Sequence, residues 1–251
     1  MSRNYRFTIS AEDVLNRAEH SISIKSKDLL HQINNVLRLK KDHTEEITII
    51  NGGGEVFYAE ILSISKSLVE LTILKTESSQ RELSSTVTFL LPIIKAENFT
   101  WMLRKLTELG VQNFIPVIFE RSQKTNVQAL SSTKSYERLS KIMQEATEQC
   151  EGAVFPKLHE AINFNDIQNH LQVGALKVFA NERLADAELE AGSWRLEAEL
   201  ANSIYLLVGP EGGLTEQEVK ILESWDFKPY GLGKRFLKAE TAAIVLMSKL
   251  I

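Results

Sequence analysis

The sequence predicts an α/β protein, with a small barrel-like β module at its N-terminus and a mostly parallel, helix-covered sheet behind it. Three observations predict this. Residues up to about 75 fall into short segments rich in β-branched and aromatic side chains, parted by turn residues. Beyond a polar run at 75–85, segments of strand and helix periodicity alternate, which is the rhythm of a parallel sheet built through helical crossovers. The 251 residues are 43% hydrophobic and 25% charged, enough apolar material for a core, so disorder is disfavoured.

Each element has its own signal. In the first module, 46–50, 55–64 and 68–74 read as strands, and Asn51-Gly52-Gly53-Gly54 turns the first into the second. A short helix fits between His31 and Leu39, where Ile33, Val36 and Leu37 share a face. The polar run at 75–85 suggests a boundary, hence domains 1–75 and 76–251. In the second domain 86–91 reads as a buried strand. Phe99, Met102, Leu103, Leu106 and Leu109 then recur at helical spacing, and Gly110 follows where a helix C-cap favours glycine. Strand 114–119 leads to a helix carrying Leu139, Ile142, Met143, Ala146 and Cys150. Strands 176–180 and 204–208 follow, Thr215 with Glu218 forms a capping-box signature opening a helix through Leu222, and a last helix runs from about Glu240 to the end.

Composition excludes several function classes. No stretch approaches the roughly 18 apolar residues of a membrane span, and the opening MSRNYRFTIS has no long apolar segment of a secretory signal. One cysteine, Cys150, allows no internal disulfide and no multi-cysteine metal site; it reads as a small core residue. Together these place the protein in the cytoplasm. The histidines lack ligand-like spacing, so no metal is expected. Net charge is -4. That excludes nucleic-acid binding by bulk charge but leaves room for a local basic patch.

Three segments can carry chemistry. Val208-Gly209-Pro210-Glu211-Gly212-Gly213-Leu214-Thr215 ends a strand, turns tightly and opens a capped helix, at the place where ligands sit in open α/β sheets; an ordinary glycine-rich turn has the same spacing. No Gly-Lys-Ser/Thr follows, so it is not a Walker loop. Leu232-Gly233-Lys234-Arg235-Phe236-Leu237-Lys238-Ala239-Glu240-Thr241-Ala242 places two more glycines, Gly231 and Gly233, and several cations ahead of the last helix. Its cations suit phosphate, or a solvated loop. Arg121, in Phe119-Glu120-Arg121-Ser122-Gln123-Lys124 after a strand, suits a phosphate or developing negative charge, or a surface ion pair. His31, Arg38, Lys40 and Lys41 form either a basic RNA-facing patch or a solvated face.

Taken together, these segments resemble the ribosomal RNA small subunit methyltransferase E family of the SPOUT class. Glu108-Leu109-Gly110-Val111, Glu120-Arg121-Ser122, Glu145-Ala146-Thr147-Glu148-Gln149, Gly209-Pro210-Glu211-Gly212-Gly213 and the Leu232-Gly233 to Glu240-Thr241-Ala242 stretch occur in that family's order and spacing, with a thinner N-terminal match in Arg6-Phe7 and His31 with Val36-Leu37-Arg38. The resemblance implies an N-terminal PUA-like β-barrel that binds RNA, and a C-terminal SPOUT domain whose parallel sheet carries a deep trefoil knot. It implies a homodimer that transfers a methyl group from S-adenosylmethionine to N3 of a uridine in the 16S ribosomal RNA of the small subunit. On this resemblance the cofactor is held by Leu207, Gly209, Pro210, Glu211, Gly212, Gly213, Leu232, Gly233, Leu237 and Thr241. Arg121 and Glu211 are the catalytic candidates, and His31, Arg38, Lys40, Arg121, Lys124, Arg235 and Lys238 face RNA. The chain departs from the family in having Glu151-Gly152-Ala153 where an arginine is usual, Lys238 for arginine and Ala239 for threonine. The alternatives are a SPOUT ribose 2′-O-methyltransferase and a non-catalytic RNA-binding ribosome-assembly factor.

Overall fold

The computed structural model describes residues 5–9, 14–18, 20–39, 46–182, 197, 198 and 200–251. It divides into two compact units, Met1–Glu82 with Thr147–Phe155, and Leu83–Ala146 with Pro156–Ile251. Among the described residues no helix is long and apolar enough to cross a membrane.

The N-terminal unit is a six-stranded sheet of β1 (Tyr5–Thr8), β2 (Val14–Ala18), β3 (Ser21–Ile24), β4 (Ile47–Ile50), β5 (Glu55–Ile64) and β6 (Val69–Ser78), in the order β1-β4-β5-β6-β3-β2. Only β1 and β4 pair in parallel. Val69, Leu71 and Ile73 alternate inward along β6 to meet Ile22, Ile24, Ile49 and Phe57, as an antiparallel sheet with one covered face requires. Among the described residues no pairing joins edge strands β1 and β2. Strand β6 continues through the polar residues from Lys75 to Ser78, because ladder pairing with β5 uses the backbone and needs no apolar side chain. At the β4–β5 turn Gly52 has φ +76°. A Cβ there would lie 2.1 Å from the Phe155 ring, so this turn is shaped by the Thr147–Phe155 segment.

The expected helix begins earlier than its apolar pattern, as α1 (Lys27–His31) followed by a π-turn over Gln32–Val36. The Leu37 N–H donates to the Gln32 carbonyl at 2.8 Å. This wider turn carries Val36 off the Ile33 face, leaving Val36 63% exposed while Ile33 is fully buried.

The C-terminal unit holds a seven-stranded sheet of β7 (Thr86–Pro92), β8 (Asn113–Ile118), β9 (Lys157–Leu158), β10 (Ile162–Asn163), β11 (Leu176–Ala180), β12 (Ser203–Leu207) and β13 (Lys228–Tyr230). Its order is β10-β8-β7-β12-β11-β13, with β9 also on β8, and every pairing is parallel. Parallel sheets need both faces covered, and β7 accordingly reads as a continuous buried run. Phe89 and Leu91 join a core with Phe99, Met102, Leu103 and Leu106 of α2 (Ala96–Glu108) and Ala243, Leu246 and Met247 of the last helix, α6 (Ala239–Met247). Leu90 joins the other face with Ile115, Val117, Phe179, Leu207 and Leu222. Gly110 takes φ +90° just past α2. Helix α3 (Lys124–Leu130) was unforeseen; α4 (Thr133–Gln149) carries the stripe expected there. Cys150 is half-buried after α4 rather than in the core, its Sγ on the Thr147 carbonyl at 3.4 Å. Helix α6 stops at Met247, where the Ser248 hydroxyl folds back onto the Val245 carbonyl, short of the chain's end.

The capping box opens α5 (Glu216–Ser224) and does more than cap it. Glu218 is 4% exposed. One carboxylate oxygen accepts the Thr215 N–H at 2.8 Å, the Thr215 hydroxyl accepts the Glu218 N–H at 3.2 Å, and the other carboxylate oxygen accepts the Glu120 N–H at 3.0 Å. The end of β8 is thereby tied to the loop after β12. Glu218→Ala orphans both donors and should lower stability by about 2–4 kcal/mol. Urea unfolding checks this: the midpoint should fall with the slope unchanged.

Candidate active site

A cavity of about 480 Å³ opens at the carboxyl edge of the parallel sheet, where β7, β11, β12 and β13 release their loops side by side. The loop after β12 contributes Gly209, Pro210, Glu211, Gly213 and Leu214; the loop after β13 contributes Leu232, Gly233, Arg235, Phe236, Leu237 and Lys238. Asn181 and Glu182 enter after β11, Lys95 and Asn98 after β7, and Ala239, Glu240 and Ala242 of α6 complete the wall. The first loop is closed by a turn in which the Gly213 N–H donates to the Pro210 carbonyl at 2.8 Å. In the second, Gly233 has φ +105°, a conformation that a side chain would strain.

The cavity is mixed in charge. Glu182, Glu211 and Glu240 line it, as do Lys95, Arg235 and Lys238, and none of these six forms an ion pair with another among the described residues. Glu240 is 9% exposed. Its carboxylate adds negative charge to the cavity wall, a place that suits a positively charged ligand group. Leu214, Leu232, Leu237 and Val219 supply apolar wall between the charges.

The loop after β8 braces this wall. Arg121 Nη1 donates to the Gly212 carbonyl at 2.8 Å, and Gln123 Nε2 donates to a Glu211 carboxylate oxygen at 3.4 Å. The Phe119 N–H donates to the Ser122 hydroxyl, which fixes the curve that presents Arg121.

Of the residues expected to hold a cofactor, the fold gathers Gly209, Pro210, Glu211, Gly213, Leu232, Gly233 and Leu237 around the cavity. The other three lie off it. Leu207 is buried in the sheet core, Thr241 is exposed on α6, and Gly212 turns toward Arg121, so that an added Cβ would stand 3.2 Å from the Arg121 Cβ. Among the expected RNA-facing residues, Arg235 and Lys238 line the cavity, while Arg121 and Lys124 are exposed on the neighbouring loop and α3. His31 and Arg38 belong to the N-terminal unit. There His31 is exposed with Nδ1 at 3.0 Å from Asn35 Nδ2, and Arg38 takes φ +54° past the π-turn. Lys40 lies outside the described residues. Sequence reasoning missed Lys95, Asn98, Asn181, Glu182 and Glu240. The rule that found the β12 loop, ligands at strand carboxyl ends, would have found the first four had it been applied to 86–91 and 176–180. Among the described residues no three His, Cys, Asp or Glu side chains gather as a metal site would require.

Comparison with known proteins gives this geometry a lineage. A family model described as an RNA methyltransferase domain matches residues 81–251, and one described as an RNA methyltransferase PUA domain matches residues 33–74. The ribosomal RNA small subunit methyltransferase E of Rickettsia conorii is 34% identical over 92% of this chain and 90% of its own length. That of Synechocystis sp. is 30% identical over 98% of this chain and 77% of its own. Among solved structures, a ribosomal RNA small subunit methyltransferase E from Neisseria gonorrhoeae bound to S-adenosyl methionine superposes with a TM-score of 0.78 at 25% identity, covering 98% of this chain and 96% of that one. The sequence matches run through both units and through every loop that builds the cavity, and on that ground the chain belongs to the ribosomal RNA small subunit methyltransferase E family.

Proposed function

We propose that this protein transfers a methyl group from S-adenosylmethionine to N3 of a uridine in the 16S ribosomal RNA of the small ribosomal subunit. The observation that carries the reading is the cavity at the sheet's carboxyl edge, walled by two glycine-bearing loops and lined by Glu240. Its volume suits a ligand of nucleoside size. Its apolar stretches suit an adenine, and its acidic groups suit a cationic amino-acid end. The reading includes closure of the N-terminal sheet into a PUA-like barrel, threading of the C-terminal unit into a trefoil knot, a homodimer and a cytoplasmic setting.

The residues present fit the donor. Gly209, Pro210 and Gly213 on one side and Leu232, Gly233 and Leu237 on the other would hold it. When bound, S-adenosylmethionine supplies a methyl group on a positively charged sulfur, so transfer asks mainly for alignment. Glu240 offers the counter-charge inside the cavity, where a low dielectric makes one charge count for more than at the surface.

The acceptor makes a different demand. Uridine N3 carries a proton at neutral pH and is hidden in pairing and stacking, so the base must be turned out and the proton removed. Glu211 lines the cavity with its carboxylate near Gln123, and is assigned as the proton acceptor. Arg121 spends one donor on the Gly212 carbonyl. Its remaining guanidinium N–H groups are assigned to the negative charge that develops on the uracil oxygens as N3 is deprotonated.

Nucleoside mass spectrometry tests the reaction. Small-subunit RNA from a strain lacking this gene should lack one N3-methyluridine and regain it on incubation with purified protein and S-adenosylmethionine; unchanged nucleosides would overturn the reading. Glu211→Gln should lower single-turnover methyl transfer by about 10²- to 10⁴-fold, the usual contribution of a positioned base, with donor affinity little changed. Arg121→Ala should weaken donor binding by about one hydrogen bond's worth, roughly 1 kcal/mol, through the loosened loop, and should lower transfer by about 10²-fold or more. Equal losses in the two measurements would leave Arg121 as a brace alone.

A further inference from the structure

The aromatic rings of the C-terminal unit mostly go inside: Phe89, Phe99, Phe114, Phe119, Phe164 and Phe179 are all buried. Phe236 does the opposite. It is 82% exposed, and it stands in the loop after β13 that walls the cavity. Its loop neighbours Leu232 and Leu237 are partly covered and pack against the apolar core, so the loop has apolar side chains for its own anchorage without Phe236. On either side of it Arg235 and Lys238 are exposed and line the same cavity, and Lys95 joins them from the loop after β7. An uncovered aromatic face set among cations at the rim of a cavity has the makings of a stacking platform for a nucleic-acid base, with the neighbouring phosphates met by the cations.

We propose that Phe236 stacks on an unpaired base of the substrate RNA, on the nucleotide beside the acceptor uridine, and so holds the strand at the cavity mouth while the acceptor base enters. The assignment to a neighbour follows from position. The acceptor must reach inside the cavity to meet the donor, whereas a side chain four-fifths in solvent meets what stays at the rim. A flat ring suits this task because every base offers a π-face, and the contact survives any sequence while the cations fix the backbone. Phe236 is a positioning residue in this account, since it touches RNA outside the reacting atoms. The proposal rests on the RNA methyltransferase reading above.

The test uses the full-length protein with Phe236→Ala, Phe236→Leu and Phe236→Trp, assayed on small-subunit particles from a strain lacking the enzyme. Donor affinity is measured by equilibrium titration and oligomeric state by sedimentation. Phe236→Ala should lower kcat/KM for the particles by about 10- to 100-fold, the range of one lost base–aromatic stack. Donor affinity and sedimentation should stay at wild-type values. Phe236→Trp should recover most of the loss, and Phe236→Leu, apolar but not flat, should recover little. The proposal is overturned if leucine serves as well as phenylalanine, if donor affinity falls in step with activity, or if alanine changes the oligomeric state, which would make the ring part of a contact between copies. A wild-type protein that methylates nothing on these particles would sink the reaction itself. An active wild type matched by an equally active Phe236→Ala would sink this inference alone.

Discussion

Because every pairing in the C-terminal sheet is parallel, each strand delivers its carboxyl end to one edge. That constraint creates the site. The order β13-β11-β12-β7 sets four loops shoulder to shoulder, although their cavity residues lie near positions 95, 182, 211 and 235 of the chain. No local stretch builds the cavity; it exists only once the whole sheet has closed up. Glu218 and Arg121 then fasten a fifth loop, the one after β8, onto the wall.

How much of this was legible in the sequence depended on whether a feature is local. The alternation of strand and helix, the stripe of α2 and the Thr215–Glu218 capping box were all readable, because periodicity and capping act over a few residues. Strand β6 ran further than its apolar pattern, since its polar end is held by backbone pairing with β5. The two-residue strands β9 and β10 carry too few side chains to show a period. Val36 was placed on the wrong face because a π-turn is invisible to a count made in steps of 3.6. At the cavity, glycine content pointed to two of the loops that wall it but not to the orientation of each residue. Gly212 looks at Arg121 rather than into the cavity, and only the fold decides that. Glu240, read as part of a motif, gains its meaning from burial beside a void.

One of the departures from the family pattern, the Glu151-Gly152-Ala153 stretch, lies in the N-terminal unit and is held there by its own contacts. Residues Glu151 and Gly152 stand where the family usually has arginine nearby. Here their carbonyls accept Arg6 Nη2 at 2.8 and 2.9 Å, and the Glu151 carboxylate meets Arg81 at 2.6 Å. Burial pulls the Arg6 guanidinium below its ordinary basicity while Glu151 opposes that shift. The segment serves cohesion of its own unit. Lys95, Arg235 and Lys238 gather positive charge along the cavity rim in a chain whose total charge is -4.

The returning segment Thr147–Phe155 also sets a timetable for synthesis. Arg6 finds its acceptors 145 positions downstream, and the Gly54 N–H donates to the Ala153 carbonyl at 3.0 Å. A nascent chain that has emerged only as far as residue 82 therefore holds a sheet whose last partners are still untranslated. Until residue 155 is made, that guanidinium and that glycine turn have water rather than their native acceptors and donors as partners. The N-terminal unit therefore reaches its native contacts only after residue 155 is synthesised, and a fragment cut between the units at residue 82 would lack them.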